Sequence, residues 1–572
     1  MAIEEEVLKN FLVQRCSFLG QPIAQERRVY RQVYFSLIQQ WLGQVETDEE
    51  VRDYCLQHLA RQLQLSTAEI PKEPVNFAEG LHKISSIFWH GGFSFGRRSY
   101  RDICILECVC LAGLLQNASQ AQLTATLHDF CQQSKMATAE EEALQAYVAS
   151  LFQPQEASVK DFFQQGQSDY AAYLKQNYQK LYRYRQRPRY HVAVCATMSS
   201  GKSTFINALL GGYYIPAGNE ACTAKITSIA DNDDYPELIG CYEEKKQLHT
   251  YRQPIDNQTL VQWNQDEQID HVFLEGDLQQ IGSHRAVLVV HDTPGTNSSQ
   301  NPLHHKRTMA FLQHQPLQTI LYVLNAEHIS TTDNRTLLQE IKRTVIDKGQ
   351  TKIIFLLNKI DSFDEENGDD IQQSVDNVCQ SLTQLGFMKP VVIPIMAYAA
   401  DLFKRALAGK AAGFTRKEIL DFKDFYSYCL EDDFDATVYQ QNVAVTAKVP
   451  DVSGEISIQK KTYPKQRLAE AIRRTGIYTV AALLDQALQQ YQPLQAAPTT
   501  QSEAKVEASQ QKGKKTPATE ASANDVLREA LSGSREEQAE KEEGSKRQRR
   551  QDREAKLQEL YADFDEWDRQ HK

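Results

Sequence analysis

The chain has no apolar run of the ~18 to 20 residues that crossing a bilayer requires, so its sequence holds no ordinary transmembrane helix. It also lacks the positive-then-apolar order of a secretion signal, because it begins MAIEEEVLKNF. An excess of cations is missing: 63 Lys and Arg stand against 75 Asp and Glu, a net charge of −12. That balance argues against general affinity for nucleic acid or anionic membranes, and no specific nucleic acid partner is expected, although a local basic patch stays open. The 11 cysteines are odd in number and scattered, which reads as free thiols rather than a disulfide framework. A cytoplasmic location is expected, with peripheral attachment at the inner face of the membrane left open. No internal repeat is visible. What remains is the composition of a soluble globular protein, 41% hydrophobic and 24% charged, whose 572 residues are too many for one core.

Hydrophobic spacing divides the chain. Residues 1–185 read as a helical domain, with apolar residues three and four apart in EEVLKNFLVQRC, RQVYFSLIQQWLGQV and VRDYCLQHLARQLQL. Over 186–405, short strands apolar throughout (HVAVCA, AVLVVHD, TILYVLN, KIIFLLNK, VVIPIMA) alternate with helical stretches, the pattern of a parallel sheet covered on both faces. A mixed segment, 406–492, closes on the amphipathic helix RLAEAIRRTGIYTVAALLDQALQQY and completes or flanks that domain. Residues 493–534 have linker composition and are expected to be disordered. Residues 535–572 read as a charged, coiled-coil-type helix with Leu557, Leu560, Tyr561, Phe564 and Trp567 on one stripe.

The stretch CATMSSGKST is nearly a phosphate-binding loop. Gly201, Lys202 and Ser203 fit G-x-x-x-x-G-K-[ST], but Ala196 stands at the first glycine. A Cβ there costs about 1 kcal/mol if φ must be positive, so weak, millimolar-tolerant binding is expected. HVAVCA leads into the loop and FINALL out of it, the strand–loop–helix setting in which the amides of Ser200, Gly201, Lys202, Ser203 and Thr204 converge on phosphates. Lys202 would then neutralise the β- and γ-phosphates, and the Ser203 hydroxyl would ligate Mg²⁺. Downstream, HDTPG puts Asp292 at a strand end for the metal and Gly295 where a γ-phosphate is sensed. In NKID, Asp361 would accept two hydrogen bonds from guanine, with Asn358 and Lys359 shaping the pocket, and would reject adenine. Thr223, in NEACTAKIT, is the candidate switch threonine for Mg²⁺ and the γ-phosphate. Three motifs in this order, each ending an apolar strand, read as a GTPase.

The runs MSSGKSTFINALLGGYYIPAGNEACTAKIT, DTPGTNSS, LNAEHISTTDNRTLL, NKID and IRRTGIYTVAALL resemble the GTPase domain of dynamin-like proteins, the bacterial members above all, over roughly residues 190–490. The resemblance implies a large GTPase with weak nucleotide affinity, activated when two GTPase domains meet as a homodimer and commonly coupled to membrane remodelling. It also implies that Ser199 helps to position and compensate the transferring phosphate, often with a bound monovalent cation (K⁺ or Na⁺), and that Thr223 orients the attacking water. The expected fold class is therefore an α/β P-loop GTPase domain, a mainly parallel sheet with helices on both faces, plus an N-terminal all-α domain and a disordered or helical C-terminal tail. Departures are Ala196, Met198, helical mass ahead of the GTPase domain rather than behind it, and no hydrophobic loop flanked by basic residues. The expected function is Mg²⁺-dependent hydrolysis of GTP to GDP coupled to self-assembly, with a membrane lipid or protein partner open. The rival is a GTP-binding scaffold with little hydrolysis that recruits a protein through the helical domain and tail.

Two other clusters invite a function. Cys104 and Cys108 share a helical face with His82 and His90 upstream, which is conceivable for zinc, but cysteines among Ile, Leu and Val read as small core residues. Lys175, Lys180, Arg183, Arg185, Arg187 and Arg189 alternate with tyrosines and could touch headgroups or nucleic acid, or simply suit a helix C-terminus ended by Pro188.

Overall fold

The computed structural model describes residues 2–492 except 17–21, 47, 72–74, 88–98, 154–169, 213–214, 216–224, 236, 251–254, 279–280, 282–284, 296–301, 327–331, 350, 364–369 and 460. Thr223, the 493–534 linker and the 535–572 helix lie outside the described residues.

The first elements are helices: α1 (Ala2–Arg15), α2 (Arg28–Val45), α3 (Glu49–Gln62), α4 (Phe77–Ser85), α5 (Tyr100–Gln116), α6 (Gln120–Gln133), α7 (Thr138–Leu151) and α8 (Tyr170–Gln186). Some of their starts follow from capping chemistry: the Asp48 carboxylate accepts from the amides of Glu50 and Val51, and Ser119 and Gln122 form a capping box. α5 is buried on nearly every side, as a helix apolar all round must be. Cys104, Cys108 and Cys110 are part of that packing as free thiols, while His82 lies exposed on α4.

A nine-stranded sheet follows: β1 (Arg189–Ala196), β2 (Ile226–Asp231), β3 (Ile239–Glu244), β4 (Gln247–Thr250), β5 (Ile269–Gly276), β6 (Val287–Asp292), β7 (Thr319–Asn325), β8 (Lys352–Asn358) and β9 (Val391–Ile395). The order across it is β4-β3-β5-β2-β6-β1-β7-β8-β9. The strands apolar throughout, β6, β1, β7, β8 and β9, pair in parallel. The other half is mixed: β2 runs antiparallel to β6, β5 parallel to β2, and β3 antiparallel to β5 and β4. The sheet carries α9 (Lys202–Leu210), α10 (Asn257–Gln265), α11 (Pro302–His314), α12 (Thr332–Ile341), α13 (Ile371–Gln384), α14 (Ala397–Leu407), α15 (Arg416–Leu430), α16 (Lys465–Arg474) and α17 (Ile477–Gln490).

The period of two along a strand divides the burial. On β6, Val287 and Val289 join the core of the N-terminal helices, and Leu288 and Val290 join the core on the opposite face. Phe273, Cys241 and Ala230 repeat the first choice on β5, β3 and β2. The helices thus sit directly on the mixed half of the sheet. Polar groups pin this junction: Arg15 Nε lies 3.1 Å from Glu275 Oε1, both side chains buried, and Asn232 Nδ2 donates to the same oxygen at 2.9 Å. Arg15 also donates to the carbonyls of Glu237 and Glu275, and Gln14 to that of Gly240 at 3.0 Å.

The single closing helix expected over 467–491 is two helices. They break at Thr475–Gly476, where Gly476 has φ +82° and a Cβ would stand 2.3 Å from the Pro394 carbonyl oxygen. The glycine lets the chain reverse tightly against the end of β9, so α16 and α17 pack side by side in the core of the sheet. The apolar period runs through the break, which hides it from spacing alone.

Candidate nucleotide site

The sheet brings three loops to one edge: the turn between β1 and α9, the turn after β6 and the turn after β8. Open α/β sheets bind ligands at the carboxyl ends of their strands.

The first loop, 197–201, bends through two left-handed residues, Ser199 at φ +60° and Gly201 at φ +82°. Ser199 is exposed at its apex, whereas Ser200 and Lys202 are buried and Ser203 and Thr204 half-buried in the first turn of α9. Ala196 is not a left-handed residue. It ends β1, 1% exposed and in register with Val323. The cost assigned to its Cβ therefore does not arise, because the turn takes its positive φ three residues later. Ala196→Gly is expected to leave nucleotide affinity within about twofold and to lose about 0.5–1 kcal/mol of stability. Titration with a fluorescent guanine nucleotide, beside thermal unfolding, checks this; tightening by several-fold would show that the methyl group obstructs the loop.

The Lys202 ammonium is ion-paired with the Asp292 carboxylate, both buried. Asp292 Oδ2 is buried with no hydrogen-bond partner. Burial raises the Asp292 pKa above the ordinary range, and the Lys202 charge only partly opposes it. The turn after β6 lies against the first loop: Thr293 donates from Oγ1 to the Val194 carbonyl at 2.8 Å, and a Cβ on Gly295 would stand 3.7 Å from Met198 Cγ.

Asn358 ties the third loop to the first. Its Nδ2 donates to the Ser200 carbonyl at 2.9 Å, and its Oδ1 accepts from the Ala397 amide at 3.1 Å. Lys359 takes φ +65°, and Asp361 sits half-buried in the short turn Ile360–Ser362. Behind the loops, α14 packs on α9, where the buried Lys404 donates to the Leu209 carbonyl at 3.2 Å; burial pushes its pKa down to about 7.

Of the residues the motifs single out, Ser199, Ser200, Gly201, Lys202, Ser203, Thr204, Gly295, Lys359 and Asp361 lie on these three loops or the first turn of α9, Asp292 and Asn358 end β6 and β8 beside them, and Thr223 lies outside the described residues. Thr197, Thr293 and Asn334 brace the loops from within CATMSSGKST, HDTPG and LNAEHISTTDNRTLL, at positions to which the motifs assign no role. The basic stretch is largely absorbed into the body: Lys180 pairs with Asp234 at 2.7 Å, Arg185 with Glu5, and Arg189 donates to the Tyr184 carbonyl.

A glycine-poor but complete strand–loop–helix with these partner turns defines a P-loop nucleotide-binding domain. Residues 192–360 match the family model described as the dynamin family. No curated protein sequence matches the chain significantly. Similar solved structures include two of an oligomerised bacterial dynamin pair described for long-range sensing and tethering of membranes. One is 15% identical with TM-score 0.30, covering 73% of this chain and 59% of its own. The other is also 15% identical with TM-score 0.30, covering 72% and 68%. Era of Aquifex aeolicus bound to GDP and aluminium fluoride is 18% identical with TM-score 0.21, covering 37% and 52%. The chain thus spans 59% of the length of the first of these. No helix among the described residues is long and apolar enough to cross a membrane.

Proposed function

We propose that the chain hydrolyses GTP to GDP and phosphate, through a site built on Lys202, Ser203 and Asp292 for the phosphates and metal and on Asn358, Lys359 and Asp361 for guanine. The observation that carries this reading is the knitting of the three loops into one unit, by the Lys202–Asp292 pair and by Asn358 reaching Ser200.

The residues fit Mg²⁺: the unpartnered Asp292 Oδ2 is a buried, under-compensated carboxylate oxygen beside the Ser203 hydroxyl's helix turn. When bound, the ion would neutralise charge on the transferring phosphoryl group. Lys202 leaves Asp292 for the β- and γ-phosphates, and the amides from Ser200 to Thr204 hold the phosphate oxygens at the start of α9. Gly295 offers its amide to the γ-phosphate. Ser199, at the exposed apex, assists the transition state, the loop around it would hold K⁺ or Na⁺ if such an ion binds, and Thr223 orients water. No general base is needed, since phosphoryl transfer depends on positioning and electrostatics. GTP-dependent pairing of two GTPase domains into a homodimer belongs to the same reading.

Purified protein should turn over GTP, and Lys202→Ala should lose roughly 10²-fold or more of that rate, while Asp361→Asn loses preference for guanine. A wild type no faster than Lys202→Ala sinks the enzyme reading, and tight GTP binding without turnover would favour a scaffold. Liposome co-sedimentation with GTP separates action at a membrane from action away from one.

A further inference from the structure

Asn334 lies in the first turn of α12 and is 2% exposed. Its Oδ1 stands 3.1 Å from Thr197 Oγ1 and 3.1 Å from the Tyr322 hydroxyl, and Thr197 Oγ1 is in turn 3.1 Å from Ser200 Oγ. Counting protons fixes the directions. A carboxamide oxygen only accepts, so Thr197 directs its single hydroxyl proton to Asn334, and Ser200 must donate to Thr197. The row runs Ser200 to Thr197 to Asn334, with Tyr322 of β7 donating from the other side. The Ser200 hydroxyl is committed inward, leaving its amide as the group that faces a phosphate. The loop is also held from two flanks, by Asn358 on the Ser200 carbonyl and by Asn334 on Thr197, with the left-handed Ser199 suspended between them.

We propose that Asn334 is a positioning residue for the phosphate loop, fixing through Thr197 the loop shape that presents the Ser200 and Gly201 amides, and so coupling that shape to the first turn of α12. The proposal rests on the GTPase reading. It predicts that nucleotide affinity responds to one hydroxyl and one carboxamide that bond to each other and to the loop.

The test uses the full chain with Asn334→Ala, Thr197→Val, Thr197→Ser and the double variant Asn334→Ala with Thr197→Val. Each is titrated with fluorescent GDP, followed by kcat and KM for GTP and a thermal unfolding scan. Loss of one hydrogen bond of ordinary strength corresponds to about a tenfold weakening. Asn334→Ala and Thr197→Val should each raise Kd about tenfold, the double variant no further than either alone, and Thr197→Ser should restore wild-type binding. A merely structural role would lower the melting temperature and the folded fraction while leaving the Kd of the folded protein in place, and that result overturns the proposal. So do effects that multiply in the double variant, which would mean that the two residues act independently. If Asn334→Ala fails to fold, the valine and serine variants of the half-buried Thr197 carry the test. Wild type that binds no guanine nucleotide overturns the GTPase reading and this proposal together, whereas wild-type binding matched by all variants overturns this proposal alone.

Discussion

Gly201→Ala should weaken guanine-nucleotide binding by about two orders of magnitude. Gly201 takes φ +82°, and a Cβ there would stand 2.3 Å from Asn358 Nδ2. A left-handed backbone costs an alanine roughly 1–2 kcal/mol, and displacing Asn358 forfeits its bond to Ser200, about 1 kcal/mol more. Together these reach about 3 kcal/mol, or roughly 100-fold in affinity. The loss is concentrated in binding because the same contact joins the phosphate loop to the turn that carries Asp361. Isothermal titration with GDP, on protein shown by circular dichroism to be folded, measures it. Binding equal to wild type would mean that the loop adopts another shape around nucleotide.

Arg15→Met should destabilise the protein by about 3–5 kcal/mol, the usual cost of stripping one partner from a buried ion pair. Glu275 is fully buried, and without Arg15 it keeps Asn232 as its remaining side-chain donor. The carbonyls of Glu237 and Glu275 lose their donor as well. Adding Glu275→Leu should recover roughly half of the loss, because the costly species is the unpaired charge rather than the missing pair. Urea denaturation of the two variants beside wild type gives the comparison. A single-variant loss under about 1 kcal/mol would mean that water reaches Glu275 and that the helices are not sealed onto the sheet.

The parallel half of the sheet was legible because its strands are buried on both faces and read as unbroken apolar runs. The mixed half was not. ITSIAD and IGCYEE alternate polar and apolar residues or end in charge, and no apolar run marks them. Part of their burial comes from α1, more than 200 residues earlier in the chain, which local spacing cannot report. The same reason hid Arg15: within α1 it looks like a basic residue suited to a helix end, and only the fold brings Glu275 to it. At the candidate nucleotide site, Lys202, Asp292 and Asp361 stand out in the sequence because the chemistry proposed for them fixes their spacing from glycine, strand end or turn. Thr197 and Asn334 were invisible because bracing a loop demands a position in space and almost any spacing along the chain. Ala196 misled for a related reason: the pattern records where a glycine usually stands, whereas the backbone needs its left-handed residues at Ser199 and Gly201.

A row of histidines, His191 and His291 buried and His271 half-buried, shows the same distance effect: His191 Nδ1 lies 3.0 Å from His291 Nε2, and Ser228 Oγ lies 2.7 Å from both His291 Nδ1 and His271 Nε2. Burial pushes His191 down to about 4 and His271 to about 3, so these rings stay neutral and can pass hydrogen bonds across four strands.

The seat of α1 on β3 and β5 also bears on how the chain is made. α1 leaves the ribosome well before the sheet, because the Gly240 carbonyl and the Glu275 carboxylate that receive Gln14 and Arg15 are synthesised 226 and 260 residues later. At about 5–20 residues per second, tens of seconds or less separate the two events. Throughout that interval the sheet-facing side of the helices, polar anchors included, has no native surface to meet. Synthesis itself therefore imposes a waiting period in which the N-terminal helices stand incomplete, and their final docking is tied to emergence of the strands that carry the nucleotide loops.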